Sequence, residues 1–287
     1  MNQYVIYTDS ACDVSLELLK QWGVSCSMLT FRFDDEDKEY SNAEMDVSEF
    51  YARMHSGSVA RTSAVNVAAF LEEFEKLLRQ GLDILYLGFA SSLSATFNSA
   101  AMAAEQLREK YPERRIMTVD TLCASSGQAM VILRTVEQKN AGATMDEAAA
   151  FARDLSSRVC SWITVEDLVY LKRGGRISPT TALVGKALGI KPLIYINAQG
   201  RLDSMGKARG KKKAIAALAD LYTANAKEPG SDVFISHSQC PEDALLLADI
   251  LKKRHNANAR LISDIGPVVG AHIGPGGILF SYEGRER

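Results

Sequence analysis

The sequence predicts an α/β protein of two lobes, with a mostly parallel sheet in the N-terminal lobe and a smaller α/β lobe at the C-terminus. Two observations support this fold class. In the first half, short β-rich runs alternate with helical patterns, which is typical of crossover units and a parallel sheet. The length of 287 residues also exceeds that of a typical single domain and favours two.

The first predicted elements lead from a short strand into a polar region. Residues 4–7 form an apolar, β-rich run that predicts a strand, and residues 16–22 carry the leucine pattern of a helix. Residues 26–33 predict a second strand. Residues 47–54 predict a helix that follows a polar loop.

The clearest helix of the sequence begins near Asn66 and ends at Gly81. Its apolar side chains recur at the spacing of one helix face, at Val67, Phe70, Leu71, Phe74, Leu77 and Leu78. Residues 83–90 predict a buried strand. An alanine-rich helix to about residue 111 and a strand over residues 115–119 continue the alternation.

The second half also alternates helices and strands. A helix over residues 145–157 leads to a predicted boundary that divides the chain into lobes of residues 1–160 and 161–287. A glycine-rich loop is predicted over residues 266–277. The other predicted elements, in chain order, are a helix at 165–173, a strand at 192–196, a helix at 214–222, a strand at 233–236, a helix at 241–253, and strands at 261–263 and 277–282.

Composition and charge exclude several classes of function. The net charge of −2 and the pI near 6.1 argue against nucleic acid and anionic membranes as partners. No apolar run is long enough to span a bilayer, and the first residues lack the features of a signal peptide, so we expect a cytoplasmic protein without integral membrane association. The dispersed cysteines and histidines offer no metal-binding spacing, so we expect inert thiols, no metal and no cofactor.

Three hydroxyl-rich segments of the first half are candidates for ligand binding. Thr8-Asp9-Ser10 follows the first strand, Thr62-Ser63 precedes the clearest helix, and residues 91–96 join a strand to a helix. Each of them can cap a helix without any ligand. If all three meet, their hydroxyls and the free N–H groups of helix N-termini favour binding of a carboxylate or phosphate. Without an adjacent general base, such hydroxyls favour anion binding over nucleophilic attack.

The second half contributes a basic group and the glycine-rich segment. The basic residues form either a solvated face or a contact for phosphate or an acidic partner. In the glycine-rich segment we favour a functional role for His272 over a purely structural one, because glycine lets the backbone approach a ligand closely. The basic group consists of Lys172, Arg173, Arg176, Lys207, Arg209 and Lys211 to Lys213.

The order and spacing of these segments resemble the DegV family of bacterial lipid-binding proteins. The resemblance covers nearly the whole chain and rests on the combination of segments more than on any one of them. These segments are Thr8-Asp9-Ser10 with Asp13, Thr62-Ser63, Ser91 to Thr96, Val119-Asp120-Thr121, Leu171 to Ile177, Lys191-Pro192, and Gly270 to Gly276.

The resemblance implies two α/β lobes with one long-chain fatty acid in a buried tunnel near the lobe interface. Several family members act as the acyl-binding subunit of a bacterial fatty acid kinase, in which a separate ATP-binding protein phosphorylates the carboxylate for phospholipid synthesis. Arg173, Arg176 and His272 would lie near the headgroup or at the surface that meets the kinase, and no residue of this chain would be catalytic. The hydroxyls that would hold the carboxylate belong to Thr62, Ser63, Ser91, Ser92 and Ser94.

Two other functions remain open at this point. One is an independent phosphotransferase or hydrolase that acts on a small amphiphile, although residues 91–96 are not a G-x-S-x-G elbow and no Ser/His/acid set is evident. The other is a binding module for a different amphiphile, such as a sterol or a retinoid. Acyl chain length and unsaturation depend on packing and do not follow from the sequence.

Overall fold

The computed structural model describes residues 3–177 and 189–287. A short 3-10 turn, Ser10–Cys12, follows the first strand. The strands of the described part are β1 (Tyr4–Asp9), β2 (Val24–Ser27), β3 (Thr30–Phe33), β4 (Glu39–Ser41), β5 (Ala60–Ser63), β6 (Asp83–Gly88), β7 (Ile116–Asp120), β8 (Val159–Thr164), β9 (Ile190–Ile196), β10 (Leu202–Arg209), β11 (Val233–His237), β12 (Ala259–Asp264) and β13 (Ile278–Glu283). Its helices are α1 (Leu16–Gln21), α2 (Val47–His55), α3 (Val67–Arg79), α4 (Thr96–Lys110), α5 (Ser126–Asn140), α6 (Met145–Arg158), α7 (Val169–Arg173), α8 (Lys211–Asn225), α9 (Pro241–His255) and α10 (Pro267–Ile273).

Four strands form a parallel sheet in the order β2-β1-β6-β7. All six residues of β6 are buried, and β1 is almost as completely buried. Such continuous apolar strands are typical of parallel sheets that are covered on both faces. The parallel sheet predicted for the N-terminal half is therefore confirmed, and α1 and α4 connect neighbouring strands of it.

A small antiparallel sheet, in the order β4-β3-β5, lies outside the sequence prediction. The strand predicted over residues 26–33 is in fact two strands, β2 and β3, which belong to different sheets. The chain turns between them, where the N–H of Leu29 donates to Oγ of Ser10 at 3.0 Å. Because this partner is distant in sequence, the local pattern could not reveal the break. Thr62 and Ser63, the hydroxyl-rich segment before the clearest helix, form the end of β5.

Six strands form the second sheet, in the order β10-β9-β8-β13-β11-β12. Among these described strands, β11 and β12 pair in parallel and the other neighbours pair antiparallel. The sequence did not predict β10, because a bulge between Ser204 and Gly206 disturbs its alternation of inward and outward side chains. The predicted lobe boundary after residue 160 falls inside β8, and the division into lobes stays a prediction.

Helix α5 lies between the two sheets and packs against strands of both. Its first eight residues, 126–133, are all buried. It therefore lacks the polar face whose period marks a helix in a sequence, and no periodic pattern predicts it. At its N-terminus, Oγ of Ser126 bonds Oγ of Ser281 on β13 at 2.9 Å. No helix within the described residues combines the length and hydropathy needed to cross a bilayer.

Residues 266–277, predicted as a glycine-rich loop, contain helix α10. The loop prediction was wrong because it was based on the low helix propensity of glycine. Two side chains of the N-terminal half satisfy free N–H groups at the start of the helix. The N–H of Gly266 donates to Oδ1 of Asp13 at 2.9 Å, and the N–H of Val268 donates to Oδ1 of Asn42 at 2.8 Å. These contacts between distant parts of the chain stabilise α10 and join the two halves.

Candidate functional site

A cavity of about 170 Å³ lies where the two halves of the chain meet. The N-terminal half contributes the end of β5 and the loop after β6, and the C-terminal half contributes strands of the second sheet with α7 and α10. Most of the lining is apolar and includes Leu29, Phe89, Leu93, Ile163, Val268 and Leu279. An apolar lining with a few polar groups is typical of a small-molecule site. The polar lining residues are Thr62, Ser63, Ser94, Arg176 and His272.

Thr62 and His272 form the central hydrogen bond of the polar lining. Oγ1 of Thr62 lies 2.9 Å from Nε2 of His272. Thr62 belongs to β5 and His272 belongs to α10, and these two elements pack against each other. The bond therefore links the two halves of the chain at the cavity. The two residues are 210 positions apart, so no local motif indicates that they meet.

The imidazole of His272 is neutral at physiological pH. Burial lowers its pKa to about 4, with a smaller contribution from the positive charge of Arg176. A neutral imidazole has one donor nitrogen and one acceptor nitrogen. Among the described residues, Nδ1 has no hydrogen-bond partner. When Nε2–H donates to Oγ1 of Thr62, the hydroxyl proton of Thr62 is free to donate to a ligand in the cavity.

Arg176 brings a positive charge to the lining. Its Nε donates to the carbonyl oxygen of Leu93 at 3.1 Å, and a terminal nitrogen donates to the carbonyl oxygen of Gly174. Burial lowers the pKa of the guanidinium, but an arginine stays protonated in proteins. Arg173 is exposed instead, and its guanidinium lies 5.8 Å from the ring centre of Tyr170. Of the two predicted arginines, Arg176 therefore lines the cavity and Arg173 does not.

Ser94 connects the loop after β6 to the start of α4. Its Oγ accepts from the N–H of Thr96 at 3.2 Å and bonds the Thr96 hydroxyl at 2.9 Å. Oγ1 of Thr96 in turn accepts from the N–H of Val65 at 3.3 Å, two positions beyond Ser63. These bonds hold the loop that carries Ser94 beside the end of β5, which carries Thr62 and Ser63.

Ser91 and Ser92 belong to the same loop but do not line the cavity. The N–H of Ser91 donates to the carboxylate of Asp120, at 3.3 Å from each oxygen. Ser92 is exposed and lies beside the turn at Gly200, where an added Cβ would stand 2.9 Å from Oγ of Ser92. The predicted role of these two serines as carboxylate ligands gains no support from the cavity and stays a prediction.

The Thr8-Asp9-Ser10 segment supports the cavity without lining it. Asp9 is fully buried and accepts from the hydroxyl of Tyr86 at 2.6 Å and from the N–H of Phe89 at 2.9 Å. Burial raises the pKa of Asp9, and these hydrogen bonds oppose the rise. Because Phe89 lines the cavity, Asp9 positions part of its wall. The signal for this role is an acidic residue at the carboxyl end of the first strand, where α/β sheets place functional groups.

Thr62 and His272 lie at the distance of a nucleophile and its general base, but they lack the other features of a catalytic pair. A catalytic imidazole needs a pKa near the working pH and a third group that orients it. The pKa of His272 is about 4, and its Nδ1 has no partner within the described part of the chain. Residues 3–177 and 189–287 contain no group of three His, Cys, Asp or Glu side chains arranged to hold a metal ion. The geometry favours hydrogen bonding to a ligand over attack by Thr62.

Comparison with known protein sequences agrees with the resemblance noted above. The pattern of the family described as "Uncharacterised protein, DegV family COG1307" matches residues 3–283. A DegV domain-containing protein of Clostridium perfringens is 36% identical over 286 residues, which cover 99% of this chain and 98% of that protein. The similarity therefore extends over both halves of the chain and includes every element that lines the cavity.

Two solved structures share the fold. A DegV lipid binding protein from Thermotoga maritima matches with a TM-score of 0.88 at 27% identity, over 99% of each chain. A DegV family protein from Thermus thermophilus, described for its fatty acid binding, matches with a TM-score of 0.88 at 26% identity, over 99% of this chain and 100% of that chain. The α/β fold class predicted from the sequence is confirmed, and the chain belongs to the DegV family.

Proposed function

We propose that this chain binds a long-chain fatty acid in the cavity, with the carboxylate at Thr62, Ser63 and Ser94. The observation that carries the proposal is an apolar lining with a small group of polar side chains, of which Thr62 and His272 are hydrogen-bonded to each other. A fatty acid has the same two parts, a long apolar chain and a single polar end. The Thermotoga maritima and Thermus thermophilus relatives, described as lipid binding and fatty acid binding, support the assignment.

Burial of the acyl chain would supply most of the affinity. A palmitate-like chain has about 14 methylenes, and at ~0.8 kcal/mol each their transfer from water contributes about 11 kcal/mol before the costs of association. Hydrogen bonds from hydroxyls add only about 1 kcal/mol each. The apolar wall therefore decides how tightly the lipid binds, and the polar groups decide where its carboxylate lies.

The carboxylate also needs a positive potential, because the hydroxyls that hold it are neutral. Arg176 lines the cavity and supplies this charge. His272 acts through Thr62, since a neutral imidazole that accepts or donates at Nε2 fixes the direction of the Thr62 hydroxyl. In this arrangement Thr62 touches the ligand and His272 is a positioning residue.

We propose further that the bound carboxylate is presented to a separate ATP-binding kinase subunit, as the resemblance implies. In that reaction a carboxylate oxygen forms a bond to the γ-phosphorus of ATP, and ADP leaves with the electrons of the broken P–O bond. Arg173 is exposed and directly precedes Gly174, whose carbonyl oxygen accepts from Arg176, so it is suited to contact the partner at the headgroup end. The chain itself acts as a carrier and performs no turnover.

Native mass spectrometry of the purified protein, followed by denaturing extraction and lipid identification, tests the binding proposal. We expect one fatty acid per chain. A protein that arrives empty and takes up neither added palmitate nor added oleate refutes the proposal. A sterol or retinoid in the extract refutes the assignment of the ligand and retains the cavity as the site.

The distance between Thr62 and His272 favours one second candidate, an independent hydrolase or phosphotransferase for a small amphiphile. Incubation of the purified chain alone with p-nitrophenyl palmitate tests the hydrolase. Turnover that disappears in Thr62→Val supports this candidate and contradicts the carrier. A chain that binds fatty acid and releases no p-nitrophenol supports the carrier.

A further inference from the structure

Arg287 lies outside the lipid cavity and bonds two segments that form walls of it. Its Nε donates to the carbonyl oxygen of Ile196 at 3.4 Å, and a terminal nitrogen donates to the carbonyl oxygen of Leu122. Ile196 ends β9 in the second sheet, and Leu122 belongs to the loop between β7 and α5. Ile196 and Ala124, one side chain from each segment, line the cavity. Arg287 itself does not line it, so its influence on a bound lipid acts through these two walls.

The guanidinium of Arg287 also bonds the end of a helix. Nη1 donates to the carbonyl oxygen of Ser156 at 2.8 Å, within the last turn of α6. Carbonyl groups of a last helical turn have no partner inside the helix, and a cation there meets the negative end of the helix dipole. Backbone oxygens of three separate segments therefore hold this half-buried charge in one place.

The loop that Arg287 bonds has a strained backbone. Leu122 has φ of +54° and Ser125 has φ of +50°, values that cost energy for residues other than glycine. Ala124, which lines the cavity, lies between them. Such a backbone persists only where the surrounding contacts fix it. Here the N–H of Leu122 donates to Oδ1 of Asp120 at 2.9 Å, and the carbonyl oxygen of Leu122 accepts from Arg287. These contacts keep the cavity wall at Ala124 in one conformation.

The turn between β9 and β10 rests on the same loop. Gly200 lies in this turn, and a Cβ added to it would stand 3.5 Å from Cα of Leu122. The backbones of the turn and the loop are thus in close contact, and Arg287 bonds both segments. Ile196 and Leu202, on either side of the turn, line the cavity. The position of the turn relative to the loop therefore sets the distance between two walls of the cavity.

We propose that Arg287 is a positioning residue that sets the width of the lipid cavity and so restricts the shape of the acyl chain that the cavity accepts. The inference rests on the proposed fatty acid binding and deepens it. The guanidinium holds the wall at Ile196 against the wall at Ala124, and a close-packed apolar pocket discriminates between chains of different shape.

Competition between stearate and oleate tests this proposal, because a cis double bond makes oleate bent and wider than the straight chain of stearate. Purified protein is incubated with an equal mixture of the two acids, and the bound acids are extracted and quantified by mass spectrometry. Both acids have the same number of carbons and the same carboxylate, so Thr62, Ser63 and Arg176 contribute equally to the binding of each. The ratio of bound oleate to bound stearate therefore reports the width of the cavity.

Arg287→Met keeps an apolar stem and removes the N–H donors. We expect the ratio of oleate to stearate to rise about fivefold, somewhat less than the effect of about tenfold or more that one misfitting methylene has in an apolar pocket. Arg287→Lys keeps the charge, but one ammonium nitrogen cannot replace the fork that bonds three segments, so the ratio should rise less than in Arg287→Met. Arg285→Ala is the matched control and should keep the wild-type ratio. Arg285 is exposed, and its backbone N–H bonds the carbonyl oxygen of Asn225 at 2.9 Å, which alanine preserves.

An unchanged ratio in Arg287→Met would overturn the proposal, and so would a rise in Arg285→Ala as large as in Arg287→Met. If Arg287→Met does not fold, Arg287→Lys decides: a raised ratio supports the proposal, and the wild-type ratio overturns it. A wild type that binds neither acid overturns the proposed function and this inference with it. A wild type that binds fatty acid, with a ratio that substitutions of Arg287 do not change, overturns this inference alone, so the two failures are distinguishable.

Discussion

Gly174 lies directly against the imidazole of His272. A Cβ added to Gly174 would stand 2.0 Å from Nδ1 of the ring, far inside contact distance. The φ of Gly174 is −71°, a value that any residue adopts, so glycine is needed here for space and not for backbone freedom. Gly174, at the end of α7, therefore leaves the space that the imidazole of His272 needs to bond Thr62 at the cavity.

Gly174→Ala is expected to displace His272 and to break its bond with Thr62. Loss of one hydrogen bond at the headgroup should weaken fatty acid binding about fivefold, measured by displacement of a fluorescent fatty acid. Gly175→Ala is the matched control. Gly175 has φ of +68° and no atom near an added Cβ, so alanine should lower stability by about 1 kcal/mol and leave the affinity unchanged. An unchanged affinity in Gly174→Ala together with a weaker affinity in Gly175→Ala would contradict the spatial role of Gly174.

Thr62→Val and Ser92→Ala compare the loss of a hydroxyl that lines the cavity with the loss of one that does not. Valine keeps the shape and the β propensity of threonine but removes the hydroxyl that bonds His272. We expect Thr62→Val to weaken fatty acid binding several-fold and Ser92→Ala to leave it unchanged, in the same displacement assay. An equal loss in both variants would return Ser92 to the carboxylate site.

His272→Gln is expected to change how stability depends on pH. The pKa of His272 is about 4 in the folded chain and about 6.5 when unfolded, so between these values the unfolded chain binds a proton that the folded chain does not. Stability is therefore lost as pH falls from about 6.5 to about 4, by about 3 kcal/mol from this residue. Urea unfolding of wild type and variant at pH 4, 5 and 7 measures the difference. A wild type that loses no more stability than the variant in acid would show that the imidazole titrates normally.

The titration of Asp13 should change stability with pH in the opposite direction to that of His272, and Asp13→Asn should remove this effect. Burial raises the pKa of Asp13 to about 8, with a further contribution from the charge of Asp264, whereas an unfolded aspartate ionises near pH 3.9. The folded chain then holds a proton that the unfolded chain has lost, and wild-type stability falls as pH rises from about 4 to about 8. Asparagine tolerates the φ of +52° and keeps an oxygen for the N–H of Gly266.

Urea unfolding at pH 5 and pH 8 checks the role of Asp13. The stability of Asp13→Asn relative to wild type should increase between the two values, because the variant has no carboxyl to titrate. A relative stability that stays constant or declines would mean that Asp13 is ionised in the folded chain at both values.

Strands with continuous apolar runs were predictable from the sequence, and elements that depend on distant contacts were not. Residues 83–90 indicate β6 by themselves, because a parallel strand covered on both faces needs an unbroken apolar run. Helix α10 depends instead on Asp13 and Asn42, which lie more than 200 positions away. Helix α5 is buried on all sides over its first turns, so no amphipathic period marks it.

The sequence indicated which residues belong to the candidate site better than it indicated where their side chains lie. The resemblance named the polar residues that the structure places in the lining. It also named Ser91 and Ser92, whose surroundings are the carboxylate of Asp120 and the turn at Gly200. A motif of adjacent serines does not indicate which hydroxyl faces a cavity, because that depends on where the strand ends and the helix begins. The supporting role of Asp9 follows from its buried partners, and no local pattern indicates it beyond its place at the carboxyl end of β1.

The position of α5 between the two sheets also determines when the backbone amides of this helix become exposed to solvent. Because this helix contacts β1 and β6 on one side and β8, β11 and β13 on the other, its backbone hydrogen bonds are exposed only when both sheets separate. Amide protons in the first turns of α5 should therefore exchange with solvent only through global unfolding. Their exchange rates would report the total stability of the chain in native buffer, without any denaturant.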